Sequence, residues 1–167
     1  QRFVNSYEYK NGSFNNSYSG KAKGILYGGD SFGNVISLSE NGKYIAVGAP
    51  TAHPTKDGLK FNGGIIYVYE LDNGTISQVG NSILGKNKNE TSGYSLEISN
   101  DGKTIAVGSP YFYGQPENGS GTVRVFKLNG NNWDQIGSDI NGENKDDKFG
   151  ESISISGNGS IIAIGAS

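Results

Sequence analysis

Residues 92–110 read SGYSLEISNDGKTIAVGSP, which is the pattern of two β-strands joined by a turn. Apolar Leu96 and Ile98 alternate with polar neighbours, the period of two expected of a pleated strand. The dipeptide Asp101-Gly102 tolerates positive φ at both central positions of a turn, so we predict a tight hairpin. The returning strand has large aliphatic side chains on one face and alanine on the other, which suits a sheet with a neighbour on each face.

This pattern occurs three times in the 167 residues. Residues 32–50 read FGNVISLSENGKYIAVGAP and residues 149–167 read FGESISISGNGSIIAIGAS. The equivalent turn glycines, Gly42, Gly102 and Gly159, are 60 and then 57 positions apart. A repeat of this length is longer than the usual solenoid period of ~20–47 residues, and it indicates a repeated sheet rather than a solenoid coil.

A second repeated module lies between the copies. Pairs of large apolar residues separated by seven positions mark it: Tyr7 with Phe14, Tyr69 with Ile76, and Phe126 with Trp133. We expect Asn73-Gly74 and Asn129-Gly130 to join the third strand of a unit to the fourth. Each unit therefore has four strands, and no segment shows the 3.6-residue apolar stripe of a helix.

These observations predict an all-β protein, a β-propeller built of four-stranded antiparallel blades. One such sheet cannot bury both faces alone, and radial packing gives each face a neighbour. The alternative is a two-sheet β-sandwich. Residues 1–167 form one propeller segment of about three blade equivalents, with whole blades at 29–85 and 86–142. Residues 143–167 supply the front half of a blade, its first and second strands, and residues 1–28 supply the back half, its third and fourth strands.

Propellers usually close with about 4–8 blades, so three equivalents leave two possibilities. Either the chain is part of a longer propeller, or copies of the chain assemble through their complementary half-blades. We expect the first, because the sequence begins Gln1-Arg2 without an initiator methionine or a signal-peptide pattern.

Short motifs give the chain a family resemblance. They are Phe32-Gly33, Gly48-Ala49-Pro50, Gly108-Ser109-Pro110, Phe149-Gly150 and Gly165-Ala166-Ser167. They resemble the FG-GAP repeat, the blade motif of integrin α-chain head propellers and of many microbial and viral surface proteins. The resemblance implies a propeller of about seven blades that works outside the cell in adhesion or protein recognition, without catalysis. Departures from the motif are Ser92 in place of phenylalanine, and Ser109 and Ser167 at the Ala-Pro end.

Blades of this family often carry a calcium loop between the two motif elements, but here that connection has shrunk to a turn. Calcium takes about six to eight oxygen ligands, more than such a turn provides. Glu143, Asp146 and Asp147 form a weaker candidate, interleaved with lysines, and we expect a solvated loop there. With one His and no Cys, we also expect no zinc site, no disulfide and no bound cofactor.

Composition excludes further classes of function. A net charge of −2 with only two arginines argues against a nucleic-acid-binding groove. No apolar run approaches the ~18 residues of a membrane span. His53 lacks a Gly-x-Ser-x-Gly nucleophile elbow nearby, so we expect no catalytic role for it. A propeller-scaffold hydrolase stays open only because carboxylate pairs cannot be found by sequence spacing.

The connections after the Gly-Ala-Pro elements, residues 51–63 and 111–120, differ in length and sequence. Variable loops on a rigid scaffold commonly carry recognition. Aromatic rings beside amide and carboxyl groups can stack on a sugar or anchor a protein, although they can also simply cover the edge of a blade. The candidate ligand-binding residues are Tyr111, Phe112, Tyr113, Gln115, Glu117 and His53.

Six Asn-x-Ser/Thr triplets suggest glycosylation outside the cell. The best placed are Asn11, Asn73, Asn89 and Asn118. We therefore expect a non-catalytic domain, extracellular or on a cell or virion surface, that binds a protein or glycan through loops on one rim. The alternative is a structural component of a larger assembly or homo-oligomer that packs through its blades.

Overall fold

A computed structural model describes residues 4–16, 30–53, 55–56, 59–60, 62–112 and 119–167. These residues form β-strands and no helix, and every pair of strands is antiparallel, which confirms the all-β prediction. No helix that could cross a bilayer exists within these ranges. The strands are β1 (Tyr7–Lys10), β2 (Ser13–Asn16), β3 (Val35–Leu38), β4 (Tyr44–Ala49), β5 (Thr55–Lys56), β6 (Leu59–Lys60), β7 (Ile65–Asp72), β8 (Thr75–Gln78), β9 (Ile83–Leu84), β10 (Ser95–Ile98), β11 (Thr104–Ser109), β12 (Thr122–Asn129), β13 (Asn132–Asn141), β14 (Ser152–Ile155) and β15 (Ile162–Gly165).

Two larger sheets share one strand order. The first sheet runs β3-β4-β7-β8, with β9 also paired to β7, and the second sheet runs β10-β11-β12-β13. Val35 pairs with Gly48 in the first sheet, and Ser95 pairs with Gly108 in the second, so the registers match. Two-stranded sheets are formed by β1 with β2, β5 with β6, and β14 with β15.

The fourth strand differs between the two sheets. In the first sheet it is interrupted between β8 and β9, whereas β13 is continuous and opposes β12 with a register shift between Val123 and Val125. Gly80 lies at the interruption with φ of 69°, and a Cβ there would stand 2.8 Å from Nε1 of Trp133. The Trp133 indole donates a hydrogen bond of 3.1 Å to the Val79 carbonyl, so the interruption receives a side chain from the second sheet.

The turns between first and second strands are tight hairpins, but only the glycine has positive φ, as in Gly42 at 69°. The predicted hairpins are present, and they form without positive φ at the residue before the glycine. Asn41 Oδ1 accepts hydrogen bonds from Ser39 Oγ at 2.7 Å and from the Lys43 amide at 2.9 Å. This Asx-type arrangement satisfies the loop backbone without placing Asn41 in the left-handed region.

The turns between third and fourth strands follow another rule. Asn73 and Gly74 both have positive φ, 45° and 76°, as the two-residue hairpin requires. The prediction that Asn129-Gly130 forms the equivalent turn was wrong by one position. Asn129 pairs with Asn132, so Gly130 and Asn131 are the central residues, and only Gly130 has positive φ.

The core consists of two layers. One face of the first sheet buries Ile45, Val47 and Tyr67 together with Phe32 and Val4. The opposite face presents small and β-branched residues to the second sheet, and this layer contains Ala46, Ile66, Val68, Leu96, Ile98, Ile105 and Val107.

The second sheet is covered on both faces. Its other face packs on the β14–β15 hairpin, because β14 contacts both β10 and β11. Ser95 Oγ donates a hydrogen bond of 2.5 Å to the Gly150 carbonyl across this contact. Consecutive sheets therefore stack face to face along the chain.

Candidate functional site

In the described part of the chain, the connections from second to third strand, and from each sheet to the next, leave the strands at one edge of the sheets. This follows from the antiparallel order, since the tight turns occupy the opposite edge. We call this surface the loop edge; in the described part of the chain it comprises residues 50–53, 85–94, 110–112 and 142–151. These connections differ in sequence while the strands beneath them share one register.

Tyr111 is the exposed aromatic residue of the loop edge in the second sheet, with 38% of its surface accessible. Its ring meets Tyr94 edge-on at 5.1 Å between centroids, and the two hydroxyl oxygens are 3.5 Å apart. The pKa of Tyr94 is raised, first by this hydrogen bond and then by the charge of Tyr111 and by burial. The Tyr94 hydroxyl therefore stays protonated at neutral pH and is available as a donor and an acceptor.

Phe112 is half-buried and lies over the guanidinium of Arg124, with 5.7 Å between the ring centroid and Cζ. Arg124 is buried and forms an ion pair with Glu90, which is fully buried. Its Nε atom lies 2.9 Å from Oδ2 of Asp139. Burial alone would raise the pKa of Asp139, but the hydrogen bond from Gln135 and the nearby Arg124 outweigh it, so this pKa is lowered.

Glu90 also fixes the connection between the two sheets. Its Oε2 atom accepts hydrogen bonds from the backbone amides of Lys86 at 2.9 Å and Asn87 at 2.8 Å. The next connection repeats the device, since Asp147 Oδ2 accepts from the Asn144 amide at 2.7 Å. Asp147 was part of the weaker calcium candidate, and in the structure its carboxylate caps its own loop.

The other two acidic residues of the calcium candidate do not form a cation site with Asp147. Glu143 and Asp146 are exposed. Across the described ranges, no three His, Cys, Asp or Glu side chains come close enough together to hold a metal ion.

The buried ion pair accounts for the departure of Ser92 from the motif. In the first sheet, Phe32 packs edge-on against Tyr67 at 5.5 Å between centroids. By register, Ser92 and Arg124 occupy the equivalent places in the second sheet, and the charged group of Arg124 turns to Glu90 instead. Sequence reasoning missed this pair, although an arginine inside the apolar run 122–128 was the available signal.

The other predicted ligand-binding residues are distributed as follows. His53 is half-buried in the connection that follows β4, and so belongs to the first sheet, whereas Tyr111 and Phe112 belong to the second. Tyr113, Gln115 and Glu117 lie outside the described residues.

Three of the four selected sequons fall on exposed turns with positive φ: Asn11 at 53°, Asn73 at 45° and Asn89 at 60°. Asn89 is on the loop edge, while Asn11 and Asn73 are on the opposite edge. Asn118 lies outside the described residues. Glycosylation of these sites stays a prediction.

Comparison with known proteins adds no family. A scan against protein-family models finds no match, and a search of curated proteins finds no relative. The resemblance to the FG-GAP repeat therefore stays a prediction, based on the motifs alone.

Proposed function

We propose that the sheets are blades of a β-propeller, with the unit boundaries predicted from the sequence. The observation in favour is the second sheet, which is covered by the first sheet on one face and by β14–β15 on the other. A two-sheet sandwich leaves the outer face of each sheet to solvent. Strand β11 has all six residues buried, as suits a sheet within a stack.

We infer that the domain is non-catalytic and recognises a protein or glycan through the loop edge, on the outside of a cell or virion. The exposed ring of Tyr111, held edge-on by Tyr94, is the observation that carries this proposal. A ring fixed in this way offers apolar surface at little cost in conformational entropy, with a hydroxyl beside it. The anchored loop beneath, through Phe112 and Arg124, supports the rigidity that recognition requires.

The test is binding of the 167-residue chain to immobilised glycans and to cells. Tyr111→Ala is expected to weaken binding at least about tenfold without changing the unfolding midpoint, because Tyr111 is partly exposed. Ile136→Ala is the matched control, since Ile136 is 43% exposed on β13 and lies six positions before the loop edge begins at residue 142. Unchanged binding by Tyr111→Ala, or equal loss in both variants, contradicts the proposal.

A structural role in a homo-oligomer is the second candidate. The observation that favours it is an apolar face of the first sheet that no sheet of the described residues covers completely. Ile36 and Leu38 on this face are 49% and 57% exposed.

A further inference from the structure

The exposed face of the first sheet has a covered counterpart in the same molecule. Leu96 and Ile98 occupy the places in the second sheet that Ile36 and Leu38 occupy in the first, by the shared register. Leu96 and Ile98 are only 6% and 4% exposed, because the first sheet covers them. The face that carries Ile36 and Leu38 is thus suited to packing against another sheet.

Half of that cover is supplied by the β1–β2 hairpin. The pairing of Tyr7 with Asn16 has the same offset from its turn as the pairing of Tyr69 with Gln78, so β1 and β2 correspond to third and fourth strands. Val4 also packs over its neighbour as a third-strand residue does. A Cβ on Gly33 would lie 3.6 Å from Cγ2 of Val4. The equivalent glycines meet third-strand residues in the same way, Gly93 with Cγ1 of Ile66 at 2.9 Å and Gly150 with Cγ2 of Val123 at 2.8 Å.

A cleft marks the place where the first and second strands would lie. It has a volume of about 400 Å³ and separates residues 4–8 from the face of the first sheet. Ile36, Leu38 and Ile45 line its floor. The cleft therefore has large apolar side chains of the first sheet on one side and residues 4–8 on the other.

The β14–β15 hairpin has the complementary shape. It is a first and second strand, and within the described residues β15 pairs only with β14. The Ser156 amide donates a hydrogen bond to the Ile161 carbonyl, so the backbone groups of Ile161 point towards β14. Because backbone groups alternate in direction along a strand, those of Ile162 and Ile164 point away from β14, to the unpaired edge of β15. On the hairpin face that points away from the second sheet, Ala163 is exposed. Its counterpart in the first sheet, Ala46, packs against the second sheet.

We propose that the β14–β15 hairpin of a second copy of this chain fills the cleft and completes a four-stranded sheet with β1 and β2. In the register of the other two sheets, Ile162 pairs with Tyr7 and Ala163 with Ser6, as Ala46 pairs with Val68. The exchange is reciprocal, so two copies bring six sheets together, within the usual range of about 4–8 for a closed propeller. The inference rests on the blade architecture proposed above and not on the recognition function.

The first test is the mass of the 167-residue chain in solution, measured by light scattering across a range of concentrations. The expected species has twice the chain mass of 17.7 kDa. Leu38→Glu is expected to weaken the dimer by at least about 100-fold, because it places a charge in the filled cleft. Leu84→Glu is the control, since Leu84 is 47% exposed on β9 and does not line the cleft.

The second test fixes the register. Because the chain has no cysteine, any disulfide of the Ser6→Cys, Ala163→Cys variant joins introduced residues, and peptide mapping identifies the bond between residues 6 and 163. These residues become a directly opposed pair with Cα atoms about 4.5 Å apart, within disulfide reach. The control, Tyr7→Cys with Ala163→Cys, places the two side chains on opposite faces. A covalent dimer in the first variant and not in the second supports the proposal.

A monomer at all concentrations overturns the proposal, as does a species larger than a dimer. A dimer that is unaffected by Leu38→Glu, or that fails to cross-link through residues 6 and 163, has another interface and also overturns it. These outcomes are separate from the binding test, which measures the affinity of the loop edge for a ligand and not the mass of the protein.

Discussion

At the scale of single residues, the glycines of the motif explain how closely the sheets stack. A Cβ on Gly48 would lie 2.3 Å from the Gly93 carbonyl oxygen, and one on Gly108 would lie 2.3 Å from that of Gly150. Real Cβ atoms do not approach so closely, so any side chain at these positions pushes neighbouring sheets apart. Gly48 and Gly108, at the end of the first two motif copies, are thus points of contact between units.

The turn glycines allow a matched test of this stacking. Gly42 and Gly102 have equivalent places and nearly equal φ, 69° and 68°. A Cβ on Gly102 would meet the ring of Tyr44 at 2.2 Å, while one on Gly42 would meet nothing within 4 Å. We expect Gly42→Ala to lower the free energy of unfolding by about 1–2 kcal/mol, from backbone strain alone. Gly102→Ala should cost about 1–3 kcal/mol more, from the clash.

Urea unfolding of both glycine variants, made in the Leu38→Glu background so that the cleft lined by Gly42 stays unfilled, measures the difference. Equal losses contradict the packing of Tyr44 against the turn of the second sheet.

The buried ion pair makes a prediction about charge. Arg124→Met leaves the carboxylate of Glu90 buried without its guanidinium, which should cost about 3–5 kcal/mol of unfolding free energy. Adding Glu90→Gln removes the buried charge and keeps an oxygen for the Lys86 and Asn87 amides. The double variant should therefore recover at least half of that loss in chemical unfolding. A double variant less stable than Arg124→Met contradicts this account of the pair.

Asp101 gives a prediction in pH. Burial would raise the pKa of this carboxyl, but hydrogen bonds from Ser99 and from the Lys103 amide outweigh it, and the pKa is lowered from 3.8. A carboxyl with a lowered pKa in the folded state stabilises the fold above its ordinary pKa. That stability is lost as the pH falls below 3.8 through the folded-state value.

The matched variant is Asp101→Asn, because the first sheet has Asn41 in this turn with the same Ser–Oδ1 hydrogen bond of 2.7 Å. The stability difference between wild type and variant should be constant from pH 5 to 7 and shift towards the variant in acid. Urea unfolding at a series of pH values measures it. A difference that does not change with pH rules out the assigned cause.

At the scale of elements, alternation and turn residues were enough to predict the strands. The first and second strands of all three copies lie where the period of two placed them. The turns were less predictable, because Asn-Gly fits more than one turn type and the choice depends on side-chain hydrogen bonds such as that from Ser39 to Asn41. The break between β8 and β9 also escaped prediction, since it depends on Trp133 from another sheet.

Burial differs between elements, so their amides should exchange at different rates. Every residue of β11 is buried, whereas Ser13, Asn15 and Asn16 of β2 are exposed. We expect the amide hydrogens of Ile105 and Val107 to exchange at least about 100-fold more slowly than those of β2, in hydrogen-exchange NMR. Similar rates in both strands contradict the stacked arrangement.

At the scale of the whole molecule, the sequence indicated complementary half-blades but not which apolar positions lie uncovered. The repeat placed Leu38 and Ile98 at equivalent positions, yet only the structure separates the exposed residue from the buried one. Of the candidate site, Tyr111 was found from the variable connection. Glu90 and Arg124 were not, because they are 34 positions apart and meet only in the folded sheet.

The most direct test of the account is a crystal structure of the 167-residue chain. We predict four-stranded sheets arranged radially about one axis, with both faces of every sheet covered by another sheet and β15 paired to β1 of a second copy. Two sheets packed as a sandwich, with the outer face of the second sheet in solvent, would contradict the account.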